Sequence, residues 1–190
     1  MEIENIFGHL PILETERLIL RKITLDDIQD MYDYCSKGEV STYVTWETHK
    51  TLADTKEFVE FVLTQYEKNK IGLWGIVFKA NGKLIGTIDF VSWQVKHRIA
   101  ELGYVISPDY WGQGITTEAA NELIKFGFHQ MELIRIQARC FVENKGSERV
   151  MEKIGMSFEG TIRKGMLVKG KHADIKMYSI LKEEYSSFNM

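Results

Sequence analysis

Apolar residues recur along this chain at two periods, and the switches between them mark its elements. Leu18-Ile19-Leu20-Arg21-Lys22 has the length and composition of a first strand. Thr24 stands where a cap belongs, so a helix is predicted from Leu25 to Tyr34, with Asp26 and Asp27 in its first turn and Gly38 beyond its end. A second helix is predicted from Leu52 to Lys68. There Phe58, Phe61, Val62 and Gln65 recur at helical spacing, and Thr51 or Thr48 provides the cap. The pattern then becomes that of extended chain. Leu73 to Lys79 and Leu84 to Val91 read as strands joined by Ala80-Asn81-Gly82-Lys83. Asn-Gly between two such runs signals a hairpin, because both residues tolerate positive φ. Ile99 to Ile106 completes a meander.

The segment Tyr110-Trp111-Gly112-Gln113-Gly114-Ile115-Thr116-Thr117-Glu118-Ala119 carries the most information. It follows the strand Ile99 to Ile106 and opens a helix predicted from Ile115 to Gln130, whose buried face is marked by Ile115, Ala119, Leu123 and Phe126 or Gly127. A glycine turn at that junction exposes main-chain N–H groups at a helix start, where the dipole favours an anion such as a phosphate. A tight structural turn is the competing explanation. Leu133 to Val142 reads as the next strand, so strand, helix and strand form a βαβ unit with parallel strands. Ser147 to Lys153 reads as a short helix stopped by Gly155. Phe158 to Val168 and His172 to Leu181 form a closing hairpin over Lys169-Gly170-Lys171. This order implies a mixed α/β sheet covered by helices.

Composition narrows the choices. A chain of 190 residues, 44% of them hydrophobic, is expected to be one domain spanning 1–190 with its core at about 14–182. A net charge of −3 and the lack of a Lys/Arg block argue against direct nucleic-acid binding. No apolar run reaches membrane-spanning length, and Met1-Glu2-Ile3-Glu4-Asn5 is acidic where a signal peptide is basic. Cys35 and Cys140 fit no zinc or redox spacing, and His9, His49, His97, His129 and His172 are scattered. A reduced cytoplasmic protein with no metal site is expected.

Two nucleotide folds fail on the glycine turn. A dinucleotide fingerprint needs a third glycine where Thr117 stands, and the Gly-Lys-Ser/Thr of a P-loop is absent. The chain instead resembles the Gcn5-related N-acetyltransferase family, in its branch of ribosomal-protein N-terminal acetyltransferases. The resemblance runs from Glu14-Thr15-Glu16-Arg17-Leu18-Ile19-Leu20-Arg21 through Gly82-Lys83-Leu84-Ile85-Gly86, Glu101-Leu102-Gly103-Tyr104 and Tyr110-Trp111-Gly112-Gln113-Gly114. It continues through Thr117-Glu118-Ala119, Glu143-Asn144 with Ser147, and Glu152-Lys153-Ile154-Gly155-Met156 to Glu159-Gly160. It implies a mostly antiparallel seven-stranded sheet with about four helices and a central βαβ cofactor site. It also implies acetyl-CoA as donor, an amine acceptor such as a ribosomal-protein N-terminus, and no membrane partner; oligomeric state stays open, with a homodimer among the options. Thr116 departs from the family's small residue in the loop, so its side chain either adds a donor or crowds the diphosphate.

By the same resemblance, the amides of Gln113, Gly114, Ile115, Thr116 and Thr117 bind the diphosphate. The main chain of Tyr104, Val105 and Ile106 pairs with the pantetheine arm and supplies the oxyanion N–H, and Asn144 reaches the cofactor's amides. Met151 stands where many members place a proton-donating tyrosine, which leaves Ser147 as donor to the thiolate or, alternatively, as a helix cap. Glu101, alone in Ile99-Ala100-Glu101-Leu102, is the candidate base; the alternative is a solvated carboxylate or one paired with Arg98 or a neighbouring strand. Trp46, Glu47, Trp74 and Trp93 are candidates for an acceptor pocket, with core packing as the alternative. Cys140 reads as a buried apolar residue, so direct attack in a ternary complex is expected. A small-amine acceptor, and an acetyl-CoA-binding module without turnover, are the other readings.

Overall fold

The structure is a computed structural model that describes residue 6, residues 8–69 and residues 72–188; the acidic start Met1 to Asn5 lies outside these. Among the described residues one sheet of eight strands runs in the order β1-β2-β3-β4-β5-β6-β8-β7. The strands are β1 (Leu13–Glu14), β2 (Leu18–Arg21), β3 (Leu73–Phe78), β4 (Lys83–Gln94), β5 (Ile99–Ile106), β6 (Arg135–Phe141), β7 (Ser157–Val168) and β8 (Lys171–Leu181). The helices are α1 (Ile28–Cys35), α2 (Gly38–Ser41), α3 (Leu52–Glu67), α4 (Ile115–His129), α5 (Lys145–Lys153) and α6 (Lys182–Phe188). The extra strand relative to expectation is β1, two residues too short to carry a period of their own. The extra helices are the single turn α2 and the terminal α6. Gly38 lies beyond the end of α1, as expected, and also begins α2.

Local chemistry explains the starts. Asp27 accepts the Thr24 N–H at 2.7 Å and a forked pair of bonds from Arg21 at 2.8 Å, so α1 is entered through a 3-10 turn at Leu25–Asp27. Thr51 and Asp54 cap α3 reciprocally. The face assigned to α3 from the sequence is only partly right. Thr55, Val59, Val62 and Tyr66 are buried, whereas Phe58 and Phe61 are exposed at the edge of that stripe. The β3–β4 turn also differs: Gly82 alone takes positive φ, at 70°, because the connection is four residues long rather than two.

Every strand pair is antiparallel except β5–β6, which is parallel, as the βαβ reading requires. That pairing covers Ile99/Arg135, Ala100/Ile136 and Glu101/Gln137 and then ends. Beyond it β5 follows β4 as far as Ile106 opposite Gly86, while β6 follows β8 as far as Phe141 opposite Ile175. A bulge in β4 between Phe90 and Ser92, opposite Leu102 and Glu101, lies where the strands part. Bulges bend a strand and raise its twist, so this one turns β5 away from β6. The result is a wedge open through the sheet, with its apex at Glu101. The helices α1 and α3 cover one face beside it. The other is covered by α4, whose Ile115, Ala119, Leu123 and Phe126 are buried as expected, and by α5.

Candidate active site

The glycine turn is built to present donors. Gly112 and Gly114 take φ of 73° and 75°, and a Cβ on Gly112 would meet nothing; backbone conformation, rather than space, asks for glycine there. The first helical bond of α4 runs from Glu118 N–H to Gly114 C=O at 3.0 Å. Among the described residues nothing accepts the N–H groups of Gly112, Gln113, Gly114, Ile115, Thr116 or Thr117. Six consecutive unpaired donors at the positive end of a fifteen-residue helix fit a diphosphate. A second support was not read from the sequence. Arg17 donates from Nε to Glu118 Oε2 at 2.6 Å and from Nη1 to Gln113 C=O at 3.0 Å, while its N–H and the Thr15 hydroxyl hold Glu118 Oε1 at 2.9 and 2.5 Å. The β1–β2 connection thus pins the turn from outside and brings a guanidinium to its rim. The separation of 101 positions between Arg17 and Glu118 hid this pair.

The wedge supplies the groove for an extended arm. Ser107 N–H bonds Ile85 C=O at 2.7 Å, so by alternation Gly103 and Val105 turn their main-chain groups to β4. Tyr104 and Ile106, past the last rung at Glu101/Gln137, turn theirs into the wedge, where β6 no longer answers them. Of the three residues expected to meet the cofactor arm, Tyr104 directs both main-chain groups into the wedge and Ile106 its N–H, the Ile106 carbonyl being taken by Trp111. The main chain of Val105 instead pairs with Thr87, and its side chain lies on the α1–α3 face. Trp111 Nε1–H donates to the Ile106 carbonyl at 3.0 Å.

On the α4–α5 face, Tyr104 and Ser147 meet. Their hydroxyls lie 2.8 Å apart, either one able to donate. Ser147 is no helix cap. Asn144 is, accepting the Ser147 N–H on Oδ1 at 3.1 Å and leaving its own NH2 free to serve a cofactor carbonyl. Met151, in the place of the missing tyrosine, is fully buried. Burial raises the Tyr104 hydroxyl above its ordinary value, so it remains a proton donor throughout the neutral range. Tyr110 packs on Phe78 with ring centroids 5.2 Å apart and accepts from Asn81, away from the wedge.

On the α1–α3 face, a chamber of about 60 Å³ opens beside β4 and β5. Tyr34, Trp46, His49, Phe58, Thr87 and Val105 wall it. Trp46 is part of this wall, but Glu47 points to solvent and is not. Trp74 is wholly buried with its indole N–H on Pro11 C=O at 2.8 Å, and Trp93 packs against the core; neither reaches the chamber. His49 Nδ1 lies 2.8 Å from the Thr55 hydroxyl, and burial lowers its pKa, so the imidazole is neutral at pH 7.

Two carboxylates share this face. Glu101 is not the isolated acid that its apolar neighbours suggest. Arg139 of β6 meets its Oε1 at 2.6 Å, and Gln137 donates to its Oε2 at 3.1 Å, so the neighbouring-strand alternative is the observed one. Asp89 stands in the equally apolar run Leu84 to Val91. It is partly exposed, accepts no hydrogen bond from the described residues, and is raised to about 7 by burial. The signal that singled out Glu101, one acid in an apolar strand, marks Asp89 equally. Cys140 is buried and free; burial, with the nearby Glu148 charge, lifts its thiol to about 11, so it gives no thiolate for an acyl-enzyme.

A family model described as an acetyltransferase (GNAT) domain matches residues 17–157. A Bacillus subtilis protein named "Putative ribosomal N-acetyltransferase YdaF" is 39% identical over 174 residues, covering 90% of this chain and 94% of its own. YoaA of the same organism, called an uncharacterized N-acetyltransferase, is 36% identical over 172 residues, covering 90% and 97%. The crystal structure of a GNAT-family acetyltransferase from Bacillus anthracis superposes with a TM-score of 0.80 at 33% identity, over 91% of this chain and 99% of that one. This chain therefore belongs to the GNAT acetyltransferase family and acts as an acetyl-CoA-dependent N-acetyltransferase.

Proposed function

We propose that the acceptor is the α-amine of a protein N-terminus of ribosomal-protein type, acetylated by direct attack within a ternary complex. The observation that carries this is the chamber beside Thr87 and Val105. Its 60 Å³ suit one small side chain, and its wall holds aromatic and apolar groups with no carboxylate to pair a second ammonium. A polyamine or a lysine side chain finds less there. The α-amine is also the easier nucleophile: with a reference pKa of about 7.7–8.0 against about 10.4 for lysine, roughly a tenth of it is neutral at pH 7, compared with one part in two thousand. The name carried by the Bacillus subtilis relative points the same way.

In this reading Gln113 to Thr117 hold the diphosphate, with Arg17 at the rim. An N–H of β5 at Tyr104 stabilises the charge that develops on the thioester oxygen. Tyr104 and Ser147 together deliver a proton to the departing sulfur, doing what Met151 cannot. Glu101 locks the apex through Arg139 rather than serving as base. The reduced, buried Cys35 and Cys140 accord with a cytoplasmic location.

The test is an acceptor panel, read by thiol release and mass spectrometry. It contains peptides beginning with Ala, Ser or Met, an N-terminally blocked lysine peptide, free amino acids and spermidine. Acetylation is expected on the free α-amines of the peptides and not on the blocked peptide. Faster turnover of spermidine or free amino acids would overturn the acceptor assignment. Calorimetry that finds no affinity for coenzyme A or acetyl-CoA would remove the donor site as well.

A further inference from the structure

Asp89 lies beside the apex of the wedge on the acceptor face. Its register partners are Leu73 on β3 and Gly103 on β5. Thr87 and Val105, the next same-face pair, line the chamber, so Asp89 and Gly103 sit one pleat repeat further, about 7 Å along the same surface. A Cβ on Gly103 would stand 3.3 Å from Asp89 Oδ1 and 2.6 Å from Val91 Cγ1. The carboxylate thus occupies room that any other residue at 103 would fill. Gly103 falls just past the last rung of the β5–β6 pairing, at the point where the wedge opens. Tyr104, the next residue, faces the opposite side, so Asp89 and the Tyr104–Ser147 hydroxyls flank the wedge from its two faces.

We propose that Asp89 is the proton acceptor for the incoming amine: it holds the ammonium over Gly103 and takes one proton from it before the nitrogen attacks. The proposal rests on the amine-acetylating reading above. Asp89 takes the first proton, and the freed lone pair forms the N–C bond to the thioester carbonyl. As the C–S bond breaks, the second nitrogen proton reaches sulfur through the Tyr104 and Ser147 hydroxyls. Asp89 then releases its proton to water, leaving an amide, a thiol and one proton. A carboxyl near 7 is ionised for part of its time at neutral pH yet basic enough to relieve an α-ammonium. The groups that face it do not compete. Tyr66 of α3, engaged by Ile23 N–H and Leu73 C=O, is itself raised by burial; Glu101 of β5 is taken by Arg139 of β6; β3 contributes Leu73.

The experiment compares the wild type with Asp89→Asn and Asp89→Glu on two acceptors: a peptide beginning with alanine, and an alkoxyamine that is already unprotonated at neutral pH. With Asp89→Asn, kcat/KM for the peptide is expected to fall about 100-fold. The wild-type acid limb, with an inflection near 7, should vanish. The alkoxyamine rate and the acetyl-CoA affinity stay within about threefold, and Asp89→Glu recovers part of the peptide rate. An unchanged peptide rate, or an equal loss on both acceptors, overturns the assignment. Carboxyl-labelled NMR of the wild type separates this from failure of the acceptor reading, because it needs no turnover. An Asp89 titration near 7 supports the proposal, and one at the ordinary value of 3.8 refutes it whatever the acceptor is.

Discussion

Replacing Glu118 by glutamine tests how the turn is held. The carboxylate accepts three bonds, from Thr15 Oγ1, Arg17 N–H and Arg17 Nε, and Arg17 in turn bonds Gln113 C=O. Glutamine keeps one acceptor oxygen and sets an NH2 against donors. A hydrogen bond to a charged group contributes about 1.5–3 kcal/mol, and a neutral one about 0.5–1.5. The Arg17 side chain is 39% exposed, so solvent screening brings the loss to the low end, about 1–2 kcal/mol. For a chain of this size that lowers Tm by roughly 2–8 °C. Freeing Arg17 also loosens the Gln113 carbonyl, and acetyl-CoA should bind about three- to tenfold more weakly. Scanning calorimetry and titration calorimetry on Glu118→Gln, Arg17→Met and the double variant form a cycle whose coupling energy should exceed about 0.5 kcal/mol. The pH dependence is fixed by the same contacts. Burial alone would raise Glu118, but the Thr15 and Arg17 bonds outweigh it and hold the carboxyl below 4.5. The stability they add is therefore complete above pH 4.5 and is lost as pH falls through the lowered folded value, so the Tm gap between wild type and Glu118→Gln should close in acid. A gap that persists unchanged into acid, or a cycle with no coupling, would show that the turn stands without this clamp.

The paired hydroxyls and the buried thiol can be tested separately. Tyr104→Phe and Ser147→Ala should each lower kcat about tenfold with acetyl-CoA affinity unchanged, and the double variant should be little worse than either, because both break one relay. Full retention of rate in Ser147→Ala would remove it from the mechanism. With its thiol raised to about 11, Cys140 carries no acetyl group: intact-mass analysis during turnover should find no acetyl-enzyme, and Cys140→Ala should keep wild-type kcat.

Much of this architecture could be read from local pattern. The strand at Ile99–Ile106, the glycine turn, the face of α4 and the following parallel strand came out nearly as expected, since period and glycine spacing reflect forces acting within a few residues. The same holds for the caps at Thr24 and Thr51 and for the donors at Gln113 to Thr117. Elements without a period of their own, the two-residue β1 and the single-turn α2, were not legible. Phe58 and Phe61 of α3 recur at helical spacing yet lie at the exposed edge of the stripe, because spacing alone does not say where a buried stripe ends.

Which of the two carboxylates is neutralised by a cation was beyond the sequence. Glu101 and Asp89 each stand as one acid in an apolar strand, with equal local claims to reactivity. Their difference comes from the partners each strand receives. Parallel register places Gln137 opposite Glu101 and carries Arg139 onto its carboxylate, whereas antiparallel register places Asp89 opposite Gly103, which has no side chain to offer. Charge neutralisation is a through-space effect set by residues 36 to 38 positions away, and only the pairing of β5 with β6 decides it.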